Sequence, residues 1–274
     1  MNILVTGAKG FVGKNLCANL KNIRDGKDRT RPSVIIDHIF EYDIDTAPAL
    51  LDEYCAKADF VFNLAGVNRP QNPEEFMLGN FGFASVLLDT LKKYNNKCPV
   101  MISSSIQATC IGRYDSDYGR SKKAGEELVF AYGEETGAKV LVYRFPNLFG
   151  KWCRPNYNSA VATFCNNIAN GLPIMVNDPS VQLELLYIDD LMTEMLDALE
   201  GNEHHCEFEG IETVLCEKAL QHLSFLLAER KSLIHLEDER GRKRKLHGAF
   251  EDRQMRSVFR EYFKARSYQG TALA

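Results

Sequence analysis

A tyrosine and a lysine four residues apart, downstream of three consecutive serines, form the strongest chemical pattern in this 274-residue sequence. Tyr118 and Lys122 would share one face of a helix, because an α-helix turns once every ~3.6 residues. The serines, Ser103–Ser105, end an apolar run, and a hydroxyl at the end of a strand can meet such a helical pair. A tyrosine in this setting can give a proton to a carbonyl oxygen or take one from a carbinol.

The three kinds of side chain predict a division of roles. Ser105, the serine nearest the following loop, would hold the substrate oxygen by a hydrogen bond. Tyr118 has an ordinary pKa of ~10, and the Lys122 ammonium favours the tyrosinate and lowers that pKa. Lys122 can also bond the ribose hydroxyls of a nicotinamide. Hydride would then pass from the nicotinamide to a carbonyl carbon while Tyr118 supplies the proton.

A glycine-rich turn near the N-terminus indicates where a dinucleotide would bind. Gly7, Gly10 and Gly13 follow an apolar run and open a helix. This spacing permits a tight turn, a close approach of a pyrophosphate to the backbone, and close packing of helix on strand. Free N–H groups and the helix dipole would then hold the phosphates. A second strand end, Leu64–Gly66, would lie along the same cofactor.

Two residues give opposite indications about the adenosine ribose. Asp43, at the end of the second strand, would accept hydrogen bonds from a 2′-hydroxyl and repel a 2′-phosphate. Lys9, in the glycine turn, would instead attract that phosphate. The residues therefore leave the choice between NAD and NADP open.

The elements that must position these residues alternate between strands and helices, which predicts an α/β fold with a doubly wound parallel sheet of Rossmann type. Asp115, Ser116 and Asp117 offer N-caps for the helix that carries Tyr118, and Gly137 suits its C-terminus. The predicted strands are Asn2–Thr6, Ser33–Tyr42, Phe60–Leu64, Pro99–Ser104 and Lys139–Arg144, and the predicted helices are Val12–Lys21, Ala49–Ala56, Glu74–Lys93 and Tyr118–Thr136.

The second half is expected to form a small C-terminal substrate-binding cap on the sheet. We place the Rossmann domain with its cap at residues 1–210, the cap mainly at 145–210, and a divergent, partly helical tail at 211–274. The cap would begin with a polar and aromatic loop at 145–158, followed by a helix at Ser159–Asn170, a strand at Val181–Ile188 and a helix at Asp189–Leu199. The tail helices would span Ala219–Arg230 and Met255–Ala265.

Composition excludes several other classes of protein. At 45% hydrophobic and 26% charged residues the chain can bury a sizeable core, and no apolar run approaches the ~20 residues of a membrane span. The N-terminus lacks the pattern of a secretory signal, and the eight scattered cysteines are typical of reduced thiols, so we expect a cytoplasmic protein. The basic run Arg240–Lys245 has no interleaved aromatic residues, so we expect no nucleic-acid partner. We also expect no metal at His204–Glu207, because adjacent residues rarely ligate one ion.

The order of the motifs resembles the extended short-chain dehydrogenase/reductase superfamily that acts on nucleotide sugars. The segments 7–15, 64–70, 103–109 and 146–159 are similar to the reductase half of the CapF-type enzymes of capsular polysaccharide synthesis, and the resemblance covers about residues 1–205. It implies NADPH-dependent reduction of a UDP-4-keto-6-deoxy-hexosamine at C4, although Asp43 favours NADH. The product would be a precursor of UDP-N-acetyl-L-fucosamine.

The resemblance also implies roles for individual residues. Ser105, Tyr118 and Lys122 would be catalytic, and Asn80 matches a helical asparagine typical of the superfamily. Asn147 would contact the sugar or diphosphate, and Lys151, Arg154 and Tyr157 in the cap loop offer charge and an aromatic face to a UDP-sugar. The expected cofactor contacts are Gly7, Lys9, Gly10, Phe11, Val12, Gly13, Asp43, Leu64, Ala65, Gly66, Ser103, Tyr118, Lys122 and Pro146.

The sequence departs from the family in two places. Extra residues around Ile111–Ser116 lengthen the loop before Tyr118. No cupin-like sequence follows the reductase half, so we expect either a separate epimerase partner chain or a truncated product. A homodimer through the helices Glu74–Lys93 and Tyr118–Thr136 is expected by analogy.

Two other functions remain as alternatives. A nucleotide-sugar epimerase would use the same three residues, whereas a dehydratase would need an Asp-Glu pair where this chain has Ile106 and Gln107. A non-catalytic NAD(P)-binding subunit usually lacks the tyrosine or the lysine, and both are present here.

Overall fold

A five-stranded parallel sheet forms the centre of the computed structural model, which describes residues 1–176, 183–208 and 211–214. The strands lie in the order β2-β1-β3-β4-β5, and the parallel sheet itself is what the alternating sequence pattern predicted. Apolar residues dominate β1, β3 and β5, as expected for strands that are covered on both faces. The strands are β1 (Asn2–Thr6), β2 (His38–Tyr42), β3 (Phe60–Asn63), β4 (Val100–Ser105) and β5 (Val140–Phe145).

Helices cover both faces of this sheet. Successive residues of β1 alternate between the two cores: Ile3 and Val5 pack with α1 and α7, whereas Leu4 packs with α2, α4 and α5. None of the helices in the described residues is both long and apolar enough to cross a membrane. The helices are α1 (Phe11–Arg24), α2 (Ala49–Lys57), α3 (Glu74–Phe76), α4 (Phe83–Lys93), α5 (Asp117–Thr136), α6 (Ala160–Ala169) and α7 (Ile188–Leu199).

The strand order reverses between β1 and β3, which places a crevice at the carboxyl ends of these two strands. The glycine turn after β1 and the loop after β3 meet there. Gly7 has φ +64°, and a Cβ at this position would lie 2.8 Å from the Ala65 amide nitrogen. Glycine therefore serves both the backbone conformation and the close approach of the two loops.

The C-terminal part adds a small layer beside the sheet. A short strand, β6 (Asn147–Phe149), pairs in parallel with β7 (Leu185–Tyr187), and α7 follows directly. The last described strands, β8 (His205–Phe208) and β9 (Ile211–Val214), pair antiparallel across the expected boundary at residue 210. The predicted tail helices lie outside the described residues.

The structure differs from the predicted elements in four places. Of the strand predicted at Val181–Ile188, only Leu185–Tyr187 forms β7, Ile188 begins α7, and residues 181–182 lie outside the described residues. The strand predicted from Ser33 begins only at His38, because the chain turns at Arg31–Val34 and the Ser33 hydroxyl bonds to Glu200, the residue that follows α7. The predicted loop at 145–158 contains β6. The predicted helix at 74–93 contains a π-helical segment, Met77–Gly82, between α3 and α4.

Candidate active site

Helix α5 presents the tyrosine and the lysine, and its first turn is fixed by two features. The Ser116 hydroxyl accepts a hydrogen bond from the Gly119 amide at 3.0 Å, which makes Ser116 the N-cap among the three candidates. A Cβ at Gly119 would lie 2.4 Å from the Gln107 carbonyl oxygen and 2.5 Å from that of Tyr114. The lengthened loop before Tyr118 therefore packs directly on the helix. Gly137 ends α5 with φ +73°, as predicted.

The structure brings Ser105, Tyr118 and Lys122 together at the carboxyl end of β4. The Ser105 hydroxyl lies close enough to the Tyr118 hydroxyl to lower the pKa of Tyr118. The Lys122 ammonium lies 5.8 Å from the centre of the Tyr118 ring and donates to the Ser103 carbonyl oxygen at 3.0 Å. All three serines belong to β4, one residue beyond the predicted strand end, and Ser105 is its last residue. The Ser105 hydroxyl also accepts a hydrogen bond from the Gln107 amide at 3.2 Å.

Burial is the largest influence on the pKa values of Tyr118 and Lys122. It raises the pKa of Tyr118 above its usual value, and the hydrogen bond with Ser105 opposes this effect. Lys122 is itself buried, and its ammonium bonds to the Ser103 carbonyl oxygen. The expectation that its charge lowers the pKa of Tyr118 stays a prediction. Burial lowers the pKa of Lys122 to about 8, although the charge of Glu126 acts in the opposite direction. A protonated Tyr118 at neutral pH is the form that donates a proton.

A buried ion pair lies one helical turn below Lys122. Arg144 of β5 donates two hydrogen bonds to the Glu126 carboxylate, at 2.9 and 2.7 Å, and the Ser104 hydroxyl donates a third. Glu126 and Arg144 are 1% and 3% exposed. This group joins α5 to β4 and β5, so the strand that carries Ser105 and the helix that carries Tyr118 are held together.

Asn80 connects the loop after β3 with α5. Its side chain exchanges two hydrogen bonds with the backbone of Val67, at 3.0 and 3.1 Å, and donates another to the Ser121 hydroxyl at 3.0 Å. Asn80 lies in the π-helical segment, where the helix is locally widened. A Cβ at Gly66 would lie 2.6 Å from Asn80 Oδ1 and 3.1 Å from Lys122 Nζ. Glycine at position 66 therefore leaves room for the side chains of Asn80 and Lys122.

The glycine turn has the features that a pyrophosphate requires. Gly10 is the N-cap of α1 and no side chain caps this helix, whereas Ser116 caps α5. The first turn of α1, which includes Phe11 and Val12, carries no acidic residue. A Cβ at Gly13 would lie 2.2 Å from the Gly7 carbonyl oxygen, so helix and turn pack as predicted. The residues present therefore fit a dinucleotide whose phosphates face the start of α1.

Lys9 and Asp43 lie side by side at the edge of this turn. The Lys9 amide donates to Asp43 Oδ2 at 2.7 Å, and the Lys9 ammonium pairs with Asp45. Thr6 closes the inner side of the crevice, because its hydroxyl donates to Asn63 Oδ1 at 2.6 Å and accepts from the Ala65 amide. Asp45 was not among the site residues predicted from the sequence.

The predicted substrate residues lie in and around the cap loop, and their roles stay predictions. Pro146 stands between β5 and β6, and the Asn147 side chain donates to the Glu184 carbonyl oxygen at 3.2 Å. Lys151 lies over the Trp152 ring at 4.2 Å, and Arg154 is exposed. The Tyr157 ring packs against the guanidinium of Arg69, a residue of the loop after β3.

Two contacts that sequence reasoning missed join the cap loop to α1 and to the loop after β3. The buried Asn15 side chain of α1 donates to the Phe11 and Lys151 carbonyl oxygens, both at 2.9 Å. The Arg69 guanidinium lies 5.5 Å from the centre of the Tyr157 ring. A buried asparagine in an apolar helix face was a signal for the first contact, but nothing in the local pattern indicated the second.

Comparison with known proteins agrees with this geometry. The NAD dependent epimerase/dehydratase family matches residues 3–208. The chain is 43% identical over 201 residues to a UDP-2-acetamido-2,6-β-L-arabino-hexul-4-ose reductase of Pseudomonas aeruginosa, and the match covers 73% of this chain and 50% of the reductase. It is 30% identical to UDP-glucuronate 4-epimerase 3 of Arabidopsis thaliana, over 74% of this chain and 55% of the epimerase.

Solved structures give the same result. The crystal structure of the capsular polysaccharide assembling protein CapF of Staphylococcus aureus matches with a TM-score of 0.63 and 41% identity, covering 84% of this chain and 58% of CapF. The chain thus spans about half the length of the curated relatives that it matches. With the parallel sheet, the glycine turn and the tyrosine–lysine pair in place, the chain belongs to the NAD dependent epimerase/dehydratase family, the extended short-chain dehydrogenases.

Proposed function

We propose that this chain reduces the C4 ketone of a UDP-4-keto-6-deoxy-hexosamine in the synthesis of a capsular or surface polysaccharide precursor. The observation that carries the proposal is the grouping of Ser105, Tyr118 and Lys122 at the carboxyl end of β4, with the Lys122 ammonium 5.8 Å from the centre of the Tyr118 ring. The 43% identity to a UDP-sugar reductase supports the substrate class. A bound NADPH or NADH would supply the hydride.

The protein's own residues would bind the ketone and supply the proton. Ser105 donates a hydrogen bond to the C4 oxygen and so orients the carbonyl toward the crevice. Tyr118, protonated at neutral pH because it is buried, transfers its proton to that oxygen as the alkoxide develops. Lys122 stabilises the resulting tyrosinate through its positive charge. Gln107 cannot act as a general base, which disfavours the elimination of water.

The test is the oxidation of NADPH and of NADH by the purified protein, with and without a UDP-4-keto-6-deoxy-hexosamine. We expect substrate-dependent oxidation that Tyr118→Phe reduces at least ~100-fold, the contribution typical of a positioned acid. Tyr132→Phe is the matched control, since Tyr132 lies on the same helix and donates instead to the Asn96 carbonyl oxygen. Equal rates in Tyr118→Phe and the wild type would refute the proposal.

An epimerase is the second candidate, because the chain is 30% identical to a UDP-glucuronate 4-epimerase. An epimerase would interconvert two UDP-sugars without added cofactor and without net oxidation of the dinucleotide. Chromatography of a UDP-sugar incubated with the protein alone separates the two functions. Cofactor binding without either activity would instead indicate a non-catalytic subunit or a truncated product.

A homodimer is proposed along α4 and α5, the helices that flank the site. Leu78 of the π-helical segment is 71% exposed and Val86 of α4 is 54% exposed, and apolar side chains at such exposure favour a covered surface. Light scattering of the full chain tests this arrangement. A monomeric mass would refute it.

A further inference from the structure

The edge of the glycine turn carries a row of carboxylates at the end of β2. Glu41 lies in β2, Asp43 is the first residue after this strand, and Asp45 comes two residues after Asp43. The backbone fixes this row beside the turn: the Ala8 amide donates to the Tyr42 carbonyl oxygen at 3.3 Å, and the Lys9 amide donates to Asp43 Oδ2 at 2.7 Å. In a sheet of this topology, the end of β2 is where the adenosine ribose of a dinucleotide lies.

The cations near this row are already paired. The Lys9 ammonium bonds to Asp45, and Lys21 of α1 forms an ion pair with Glu41 at 2.6 Å. The hydrogen bond with Asp45 raises the pKa of Lys9, and the charges of Asp45, Asp43 and Glu41 add to this effect. Lys9 therefore stays charged and balanced by carboxylates. Only by breaking the pair with Asp45 could it turn to a phosphate.

Asp43 keeps acceptor capacity for a ribose. Its Oδ2 accepts from the Lys9 amide and its Oδ1 accepts from the Ile44 amide at 2.8 Å. Each carboxylate oxygen has two lone pairs, so one site remains on each oxygen for a hydroxyl donor. A 2′-phosphate is acceptor-only near neutral pH and would meet this carboxylate with like charge.

We propose that Asp43 and Asp45 make this site selective for NADH over NADPH: Asp43 accepts the ribose 2′-hydroxyl, and Asp45 occupies the one lysine of the glycine turn. This inference rests on the proposed function only in assuming that a nicotinamide dinucleotide binds. It runs against the NADPH preference that the sequence resemblance implied.

The test is a titration of the full chain with NADH and with NADPH, followed by nucleotide fluorescence or calorimetry without any sugar. We expect NADH to bind at least ten-fold more tightly. Asp43→Asn should shrink that ratio at least five-fold, because it removes the repulsion and retains the fold. Asp45→Asn should tighten NADPH several-fold by releasing Lys9, while the Kd of NADH changes less than two-fold.

Glu53→Gln is the control, because it removes one negative charge from α2, where Glu53 pairs with Lys57. It should leave the ratio unchanged. NADPH binding as tightly as NADH to the wild type, or an unchanged ratio in Asp43→Asn, would overturn the proposal without touching the reductase assignment. Absence of binding by either dinucleotide would overturn both.

Discussion

At the scale of a single residue, two opposing influences set the pKa of Lys122. Lys122 is 7% exposed, so burial favours its neutral form, whereas Glu126, one helical turn away, favours the ammonium. The balance leaves its pKa at about 8, close to working conditions. The charge that would stabilise a tyrosinate is therefore maintained by a buried carboxylate that touches neither substrate nor cofactor.

The pH dependence of turnover should report this balance. We expect kcat to fall as the pH rises through about 8, because Lys122 loses its proton there. In Glu126→Gln the fall should begin at lower pH, since the opposing charge is gone. Glu127→Gln, on the exposed side of the same helix, should leave the profile in place. Identical profiles for Glu126→Gln and the wild type would contradict a role of Glu126 in holding the charge of Lys122.

The same lysine should reduce the stability of the fold. Its pKa is about 8 in the folded protein against an ordinary value of 10.5, so between these two pH values the unfolded chain binds more protons and stability rises with pH. Below pH 8 the full cost of the buried charge is present. Lys122→Met should therefore raise the free energy of unfolding near neutral pH by about 2 kcal/mol, after the lost bond to the Ser103 carbonyl is allowed for. Urea unfolding measures the gain, which should shrink at high pH; a destabilised variant would contradict it.

At the scale of one element, α5 depends on glycine at one position and tolerates a side chain at another. Gly119 lies against two backbone carbonyls, which cannot move as a side chain could. At Gly125 a Cβ would meet Ile102 Cδ1 at 3.9 Å and the Asn80 carbonyl oxygen at 4.0 Å, which is ordinary contact. The two glycines therefore form a natural pair for comparison.

Gly119→Ala should displace the first turn of α5 and with it Tyr118. We expect a loss of about 2–3 kcal/mol in the free energy of unfolding and at least a ten-fold loss in kcat. Gly125→Ala should be neutral or gain up to ~1 kcal/mol from helix propensity. Thermal unfolding and steady-state kinetics of both variants check this contrast; comparable effects of the two substitutions would show that the loop does not restrain the helix.

Sequence patterns predicted those elements whose residues carry a local signal. The alternation of apolar runs with helical segments was enough for the sheet, and the spacing of Tyr118 and Lys122 was enough for their shared face. The π-helical segment was not predictable, because apolar periodicity does not distinguish it from an α-helix of the same length. The pairing of Glu126 with Arg144 was also missed, since it depends on how α5 crosses β5.

At the scale of the whole molecule, Asn15 couples the cofactor helix to the cap. Its amide donates to the Phe11 and Lys151 carbonyl oxygens, so one side chain joins the cap loop to the N-terminus of α1. The contact of Arg69 with Tyr157 joins the same loop to the region after β3. The cap is thus attached to both sides of the crevice.

Asn15→Ala should loosen the cap with a smaller effect on the nucleotide site. We expect KM for the UDP-sugar to rise at least three-fold, while the Kd of the dinucleotide changes less than two-fold. Asn19→Ala is the matched control, because Asn19 lies one turn further along α1 and donates to the Asn15 carbonyl oxygen within that helix. A KM unchanged in Asn15→Ala would show that this bond does not position the cap.

The π-helical segment has a consequence for how the length of this region can vary. A wide turn accommodates one more residue than a regular helical turn does, so Asn80 and the core face of α4, with Leu87 and Leu91, are held in a fixed angular relation. Deleting a single residue from Met77–Gly82 would restore a regular helix and rotate one of these groups by ~100° relative to the other. Either the apolar face or the asparagine would then point the wrong way. The number of residues in this segment is therefore constrained as strictly as the identity of Asn80.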